Sequence, residues 1–387
     1  MESSPFRYGV TVSKAAFTNR EPEAQKLESN LIQGINTCII SPRRWGKSSL
    51  VEKVVGDIKE KHKDFKVCIL DLFTVSSEEE FLELFTREIL RASSNKWEEW
   101  VKEGKVIFKQ LVPKFSIGLD PETDFSVSFD WSELKKHKDE ILDLPEKIAK
   151  RKKIKFIVCL DEFQNIASFK DFEPFEKKMR AVWQRQKHVS YCLFGSKRHM
   201  MNDIFNNPSK PFYRFGDMIL LGKISRDKWV SFIQNGFANT GKKIDTKNAD
   251  LIASSMKLHS WYVQQLAHYT WNKTEMQGTQ KEVYNALLEL IQANTPFYQK
   301  EIEGLSSTQV NLLKAIAADE FQLTSAAVMQ KYRLGTPRNV SKNKTTLLNA
   351  DIIDESDGRY EFLDPAFEMW FRKQFFNQHY LGTERNS

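Results

Sequence analysis

The stretch that decides the fold is Cys38-Ile39-Ile40-Ser41-Pro42-Arg43-Arg44-Trp45-Gly46-Lys47-Ser48-Ser49-Leu50. It holds a short apolar run, then a turn, then the polar start of a helix. The turn departs by one residue from the phosphate-loop pattern G-x-x-x-x-G-K-[ST], since Ser41 stands at the position of the first glycine. Gly46 has no Cβ, so the backbone there can approach phosphate groups closely. The stretch therefore predicts a strand, a phosphate-binding loop and a helix.

Individual residues of this loop have separate predicted roles. The N–H groups of the loop and of the helix start are expected to point at a bound anion. Lys47 is expected to reach the β- and γ-phosphates, and the Ser48 hydroxyl to complete the ligand shell of a Mg²⁺ ion. The alternative, a chance Gly-Lys-Ser in a surface turn, is disfavoured because a strand precedes the turn and a helix pattern follows. The predicted nucleotide-binding residues of the loop are Ser41, Pro42, Arg43, Arg44, Trp45, Gly46, Lys47, Ser48 and Ser49.

A second candidate motif is the unbroken apolar run at residues 156–160, which is followed directly by Asp161 and Glu162. Such a run is typical of a strand buried on both faces of a parallel sheet. Acids that follow it lie at the carboxyl edge of the sheet, where open α/β folds bind ligands. Asp161 is expected to hold Mg²⁺ directly or through water, and Glu162 to polarise a water for attack on the γ-phosphate. With both motifs in one chain, nucleotide binding is favoured over a solvated acidic turn.

Composition narrows the class of protein. The chain has 387 residues, 41% of them hydrophobic and 28% charged, which is enough for two or three globular domains. No apolar run approaches the roughly 20 residues that cross a bilayer, and no secretion signal is evident at the N-terminus. Cys38, Cys68, Cys159 and Cys192 fall in predicted buried strands, which predicts free thiols and a cytoplasmic protein. The net charge is +7, but the basic run at 147–153 is interpreted as a solvated helix end rather than a nucleic-acid patch.

Three domains are predicted along the chain. Residues 1–222 are expected to form an α/β nucleotide domain with a parallel sheet. A β-hairpin insertion is predicted at about 112–131, with its turn at 120–124, and its aromatic side chains are expected to pack on their own domain rather than on a partner. Residues 223–300 are predicted to form a helical lid. Residues 301–387 show three helices and a hairpin, the arrangement of a winged helix-turn-helix domain. The predicted strands of the sheet are 35–40, 65–70, 156–160, 190–194 and 218–221.

The order of these motifs resembles that of the archaeal-type ATPases, P-loop proteins near the AAA+ and STAND groups. The resemblance implies an ASCE-type nucleotide domain with Walker A and Walker B motifs, ATP and Mg²⁺ as ligands, a helical lid and a C-terminal winged helix. The segments that carry it are 17–23 (FTNREPE), 42–48 (PRRWGKS), 160–164 (LDEFQ), 194–196 (FGS), 211–214 (PFYR) and 363–371 (LDPAFEMWF).

The resemblance also implies roles for residues that the motifs alone leave open. Ser196 matches a polar sensor that contacts the γ-phosphate or the attacking water. Arg214 stands where an arginine finger is offered, in cis or by a neighbour, although pairing with a surface acid is an equal alternative. Phe17, Asn19 and Arg20 match the segment that packs on the adenine and ribose, and Phe17 is equally well explained as a core aromatic. Residues 258–263 lack the arginine of an AAA+ second sensor, which disfavours a ring-hexamer motor and fits the STAND-like side of the group.

The predicted function is an ATP-hydrolysing switch that couples the Mg-ATP state to the winged helix and an unknown protein partner. Its predicted catalytic residues are Glu162, Lys47, Ser196 and Arg214. The alternative is a non-hydrolysing nucleotide-binding interaction protein or a DNA-binding regulator. Residues 321–350 contain no Asp or Glu but include Arg338, Lys342 and Lys344. This pattern predicts a weak, non-specific DNA contact or, alternatively, a protein-binding face.

Overall fold

The computed structural model describes residues 3–9, 19–94, 96–108, 113–116, 125–170, 172–356, 358–378 and 380. The chain divides into two compact units. Residues 20–222 form one unit, and residues 1–19 together with 223–387 form the other. None of the helices within the described ranges is long and apolar enough to cross a membrane.

The unit of residues 20–222 is built around one parallel sheet. The spatial order of its five strands is β2-β5-β6-β1-β7, and the neighbours pair in parallel. A 3-10 helix, Phe163–Ser168, follows β5. The elements of this unit, in chain order, are α1 (Glu21–Ile32), β1 (Thr37–Ile40), α2 (Lys47–Lys61), β2 (Phe65–Asp71), α3 (Glu78–Ser93), α4 (Trp97–Ile107), β3 (Lys114–Ser116), β4 (Ser126–Ser128), α5 (Trp131–Lys136), α6 (Lys138–Leu142), α7 (Leu144–Lys152), β5 (Lys155–Asp161), α8 (Phe172–Trp183), β6 (Val189–Gly195), α9 (Arg198–Asn206) and β7 (Asp217–Leu220).

The central strands are short runs of apolar residues that are buried almost throughout. All residues of β1 and β6 are buried, as are five of the seven in β5, which is the pattern of a parallel sheet covered on both faces. Strand β1 lies between β6 and β7, yet the chain passes from β1 to β2 at the far edge of the sheet. Open α/β sheets bind ligands at the carboxyl ends of strands beside such a reversal of order. The phosphate loop follows β1 at this place.

The predicted hairpin insertion is present as β3 and β4. The two strands pair antiparallel, with Lys114 opposite Ser128. Phe125 is buried, and its ring lies 5.1 Å from that of Trp100 and 5.9 Å from that of Phe115. The hairpin therefore packs on its own unit, as predicted. The predicted turn at 120–124 lies outside the described residues.

The second unit is mostly helical. Its large apolar cluster includes residues from the predicted lid and from the predicted winged helix. Helix α13 runs through the predicted division at residues 300/301, so the separation of a lid from a winged helix there stays a prediction. The elements are α10 (Arg226–Ala238), β8 (Lys243–Ile244), α11 (Thr246–Ser255), α12 (Ser260–Lys273), β9 (Gln277–Gly278), α13 (Gln280–Glu303), α14 (Ser307–Ala317), α15 (Ala326–Tyr332), α16 (Pro337–Asn349), β10 (Ile353–Ser356), β11 (Arg359–Phe362) and α17 (Pro365–Phe376).

Helices α14 to α16 and the antiparallel pair β10 and β11 form the predicted winged helix. Each of the three helices begins with a hydroxyl side chain that accepts a backbone N–H. The capping residues are Ser306, Ser325 and Thr336. Such caps satisfy backbone donors that the first helical turn leaves free, so the boundaries of these helices are encoded locally.

Candidate nucleotide-binding site

The loop between β1 and α2 has a backbone shape that few side chains permit. Gly46 has φ +91° and caps the N-terminus of α2. Side chains are strained in this left-handed region, whereas glycine enters it freely. The first turn of α2, which lies wholly within the described residues, contains no acidic side chain. No acid of the turn itself therefore competes for its N–H groups and the positive end of its dipole, which suits a phosphate.

Ser41, the departure from the phosphate-loop pattern, is accommodated without disturbing the loop. The residue is buried, and its hydroxyl donates a hydrogen bond of 3.1 Å to the carbonyl of Pro42. The polar group therefore has a partner inside the loop. A serine at this position is consistent with the loop shape seen here.

The two predicted motifs meet at the carboxyl edge of the sheet. The Lys47 ammonium lies 2.9 Å from Glu162 Oε1 and 3.8 Å from Asp161 Oδ1. The Ser48 hydroxyl donates a hydrogen bond of 2.9 Å to Asp161 Oδ2. These residues come together because β1 and β5 are parallel and end at the same edge. The structure thus brings Lys47, Ser48, Asp161 and Glu162 into one cluster.

The backbone conformation of Glu162 and several hydrogen bonds fix the position of its carboxylate. Its backbone is left-handed, with φ +50°. Its Oε2 atom accepts hydrogen bonds from the Ser196 hydroxyl at 2.9 Å, from the Ser196 N–H at 3.4 Å and from the side-chain amide of Gln164. Ser196, predicted as a sensor for the γ-phosphate, therefore contacts Glu162 directly. Gln164 had no predicted role, although it belongs to the segment 160–164 (LDEFQ) that carries the family resemblance.

The two acids differ in their electrostatic surroundings. Burial raises the pKa of Asp161, and the neighbouring Lys47 ammonium and Ser48 hydroxyl only partly oppose this. Burial acts against ionisation of Glu162 too, but Lys47 and the hydrogen bonds from Gln164 and Ser196 outweigh it and hold the Glu162 pKa below its ordinary value. Glu162 is therefore a carboxylate at neutral pH, the form that can accept a proton.

The donor set at this edge fits Mg²⁺. Asp161 and Ser48 supply hard oxygen atoms, and Mg²⁺ in proteins is commonly bound by one or two such groups together with phosphates and water. Within the described ranges no three His, Cys, Asp or Glu side chains gather as a metal cage. A protein-enclosed metal site is therefore not present there, whereas a Mg²⁺ ion shared with a nucleotide needs only the two groups seen.

Two residues of the predicted base-binding segment have contacts within their own units. The buried Arg20 guanidinium lies 3.1 Å from Glu23 Oε1 and donates a hydrogen bond of 3.4 Å to the carbonyl of Trp45. Arg20 thus supports the backbone of the phosphate loop from the start of α1. The Asn19 side chain donates to the carbonyl of Lys228 at 3.4 Å. Phe17 lies outside the described residues, and base contacts by these three residues stay predictions.

Arg214 lies at the other edge of the sheet from Lys47. It precedes β7, whereas the phosphate loop follows β1, and the two strands are parallel with Thr37 opposite Asp217. Four strand residues separate the two edges by about 13 Å. This placement does not support a finger acting in cis. Arg214 is exposed, its guanidinium lies 5.2 Å from the Tyr213 ring, and it has no ion pair with any acid of the described residues. A finger offered to a neighbour stays a prediction.

Comparisons with known proteins bear on the whole fold. A family model described as "Probable winged helix domain" matches residues 296–373. The fold is similar to that of a Walker-type ATPase of Pyrococcus abyssi, with a TM-score of 0.67, 16% identity, and coverage of 95% of this chain and 99% of that one. It is also similar to the ORC2 protein of Aeropyrum pernix, solved as ADPNP-ADP complexes, with a TM-score of 0.56, 13% identity, and coverage of 93% and 94%. No curated protein matches the chain in sequence.

These likenesses define the class of fold. The chain has the P-loop ATPase fold, with a five-stranded parallel sheet, further helices and a C-terminal winged helix domain. The resemblance to archaeal-type ATPases that the motifs indicated is confirmed at the level of the fold.

Proposed function

We propose that the protein is an ATP-hydrolysing switch that couples its Mg-ATP state to an output of the winged helix. One observation carries the proposal. The Lys47 ammonium and the Ser48 hydroxyl, adjacent at the start of α2, each lie 2.9 Å from an acidic oxygen at the end of β5. This is the juxtaposition that phosphoryl transfer to water needs. The similarity of the fold to two nucleotide-related proteins supports it.

Each residue of the cluster has a separate role in the proposed reaction. Lys47 binds the β- and γ-phosphates in place of its present acidic partners. Ser48 and Asp161 would hold Mg²⁺, which would neutralise charge on the phosphate oxygens. Glu162 orients a water and accepts its proton as the water oxygen bonds to the γ-phosphorus. The bond from that phosphorus to the bridging oxygen breaks, which yields ADP and phosphate. Ser196 holds the Glu162 carboxylate during this step.

Phosphate release by the purified full chain tests the proposal. Lys47→Ala is expected to abolish ATP-dependent release, because the phosphates lose their charge partner. Glu162→Gln is expected to lower turnover by about two orders of magnitude and to retain ATP binding, since the amide cannot accept a proton. Lys53→Ala is the matched control. Lys53 lies on the same helix and forms an ion pair with Asp57 at 2.8 Å, so its loss is expected to leave turnover unchanged.

Two results would decide against hydrolysis. Equal phosphate release from the wild type and from Lys47→Ala would assign the activity to a contaminant. Tight ATP binding by the wild type without turnover would instead support a nucleotide-binding interaction protein. Loss of ATP binding in Glu162→Gln, as complete as in Lys47→Ala, would contradict the role given to Glu162.

A second candidate output is DNA contact through α16. Arg338 and Lys342 are exposed on this helix, and residues 321–350 contain no acid. Lys344 differs from them, since it is half-buried and its ammonium lies 4.7 Å from the Tyr360 ring on the hairpin. We therefore assign a weak, salt-dependent phosphate contact chiefly to Arg338 and Lys342.

DNA binding at low ionic strength tests this output. Reversing Arg338, Lys342 and Lys344 to Glu is expected to abolish binding and to leave ATP binding intact. Lys344→Glu alone is expected to have the smaller effect. A wild type that shows no salt-dependent DNA binding would assign this face to a protein partner.

The proposed compartment is the cytoplasm. The four cysteines, Cys38, Cys68, Cys159 and Cys192, are all buried and free. Free thiols in structural strands are typical of proteins kept in a reducing environment. This supports the proposed compartment, as does the expected use of ATP as substrate.

A further inference from the structure

We infer that Gln164 is a positioning residue that orients the Glu162 carboxylate for catalysis, and that Gly195 is the residue that makes room for it. The inference rests on the proposed function, because it assigns to Glu162 the task of orienting water. It adds a second pair of residues to the site. Neither of them is expected to touch ATP.

The contacts of Glu162 place Gln164 in this role. Lys47 is the ammonium on Oε1, whereas Gln164 and Ser196 both donate to Oε2. When the phosphates of ATP bind the Lys47 ammonium, Gln164 and Ser196 are the side-chain donors that remain on the carboxylate among the residues that the structure describes. Gln164 follows β5 and Ser196 follows β6, so the carboxylate is tied to the ends of two neighbouring strands.

The surroundings of the Gln164 side chain determine which way its amide points. It is 1% exposed, and its buried Oε1 has no hydrogen-bond partner within the described part of the chain. A Cβ on Gly195 would lie 1.9 Å from that oxygen. Turning the amide over would bring Oε1 against the Glu162 carboxylate, which is repulsive. The orientation with the amide nitrogen toward Glu162 is therefore the stable one, although it leaves a buried oxygen unsatisfied.

The backbone that carries Gln164 is also fixed. Phe163 is fully buried, and its ring lies 5.7 Å from that of Phe205 and 5.4 Å from that of Phe212. On the other side of Gln164, the Asn165 amide donates a hydrogen bond of 3.1 Å to the carbonyl of Leu72. Packing and hydrogen bonding thus hold the 3-10 helix on both sides of Gln164. A rigid support of this kind is what precise placement of a catalytic group requires.

Steady-state kinetics of the full chain test the inference through three variants. Gln164→Met keeps the volume of the side chain but removes the donor, Gln164→Ala removes both, and Gly195→Ala displaces the amide. Each is expected to lower kcat by about tenfold, with KM for ATP and ATP affinity within about twofold of the wild type. Ser168→Ala, on the same 3-10 helix, is the control and is expected to retain wild-type kcat.

The split between kcat and KM separates positioning from a merely structural role. Loss of the Gln164 donor is expected to lower kcat per ATP-binding site in Gln164→Met and Gly195→Ala and to leave KM for ATP unchanged, because Lys47 and Ser48 are intact. Folding damage would lower the number of ATP-binding sites, which nucleotide titration counts, without lowering kcat per site.

A double-mutant cycle tests whether the effects of Gln164→Ala and Gly195→Ala arise from the same contact. Once Gln164 is truncated to Ala, a Cβ at residue 195 no longer meets Oε1, and the remaining close neighbour is the flexible Met201 thioether at 2.9 Å. The double variant Gln164→Ala/Gly195→Ala is therefore expected to lose no more than Gln164→Ala alone. Fully additive losses would overturn the inference.

The inference and the proposed function fail in different ways. If the wild type hydrolyses ATP and Glu162→Gln does not, but Gln164→Met keeps wild-type kcat, the inference is overturned and the proposed function stands. If the wild type releases no phosphate from ATP, both are overturned.

Discussion

We expect Glu176 on α8 to make the stability of the unit of residues 20–222 depend on pH. Its side chain is fully buried, and neither carboxyl oxygen has a hydrogen bond of ordinary geometry among the described residues. Burial raises its pKa from 4.5 to about 7; Lys210 and the backbone N–H of Phe212 act against this shift, whereas Asp203 and Glu173 add to it. Because the folded pKa lies above the unfolded one, the stabilising effect of the protonated group is complete below about pH 4.5 and is lost as pH rises through about 7.

Glu176→Gln removes this pH dependence. At pH 8 the variant is expected to exceed the wild type in free energy of unfolding by about 2 kcal/mol, because no charge has to be buried. At pH 4.5 the difference is expected to shrink to a small fraction of that. Chemical denaturation at the two pH values measures it. An equal difference at both would show that ionisation of Glu176 is not the cause.

At the scale of elements, the hairpin β3–β4 is a packed part of its unit rather than a free arm. Phe125→Ala, a change at a residue 2% exposed, is expected to lower the free energy of unfolding by about 3 kcal/mol, since it leaves a cavity beside Trp100 and Phe115. Phe297 is 70% exposed on α13, and Phe297→Ala is the control, with an expected change within about 0.5 kcal/mol. Denaturant unfolding measures the free energy of unfolding of both variants. Equal values would contradict packing of the hairpin on its own unit and would favour the alternative that its aromatic side chains bind a partner.

At the scale of the whole molecule, the proposed switch requires that both compact units respond to the nucleotide. Hydrogen exchange in Mg-ATP and in Mg-ADP is expected to differ around the phosphate loop and also within residues 307–376. Glu162→Gln, which binds ATP without cleaving it, is expected to keep the ATP pattern for as long as the nucleotide remains bound. Lys47→Ala is expected to show neither pattern. Differences confined to residues 20–222 would contradict the switch and favour a nucleotide-binding protein without a coupled output.

Much of the fold was predictable because its signals are local. Strand β5 was predicted from an unbroken apolar run, β6 from the strand pattern at residues 190–194, and the phosphate loop from the spacing of Gly46, Lys47 and Ser48. The first helix of the winged helix was predicted from its apolar periodicity. Helix α13 was not predicted as a separate element, and it continues through Pro296 although proline is a helix-breaking signal. The burial of Val283, Leu287 and other apolar residues stabilises the helix despite that proline.

The sequence by itself determined that Lys47 and Ser48 begin the helix after the phosphate loop and that Asp161 and Glu162 stand at the end of a strand, since each pair belongs to a local pattern. Only the tertiary structure decided what these residues touch. The order β2-β5-β6-β1-β7 pairs strands that are far apart in sequence, so the contact of Ser196 with Glu162 depends on long-range pairing. The contact of Gln164, two residues from Glu162, is local, but the space for its side chain is provided by Gly195 on the neighbouring strand β6. The same pairing places Arg214 at the amino edge of β7 and thus away from Lys47. Local patterns determine elements, whereas the packing of distant strands determines the site.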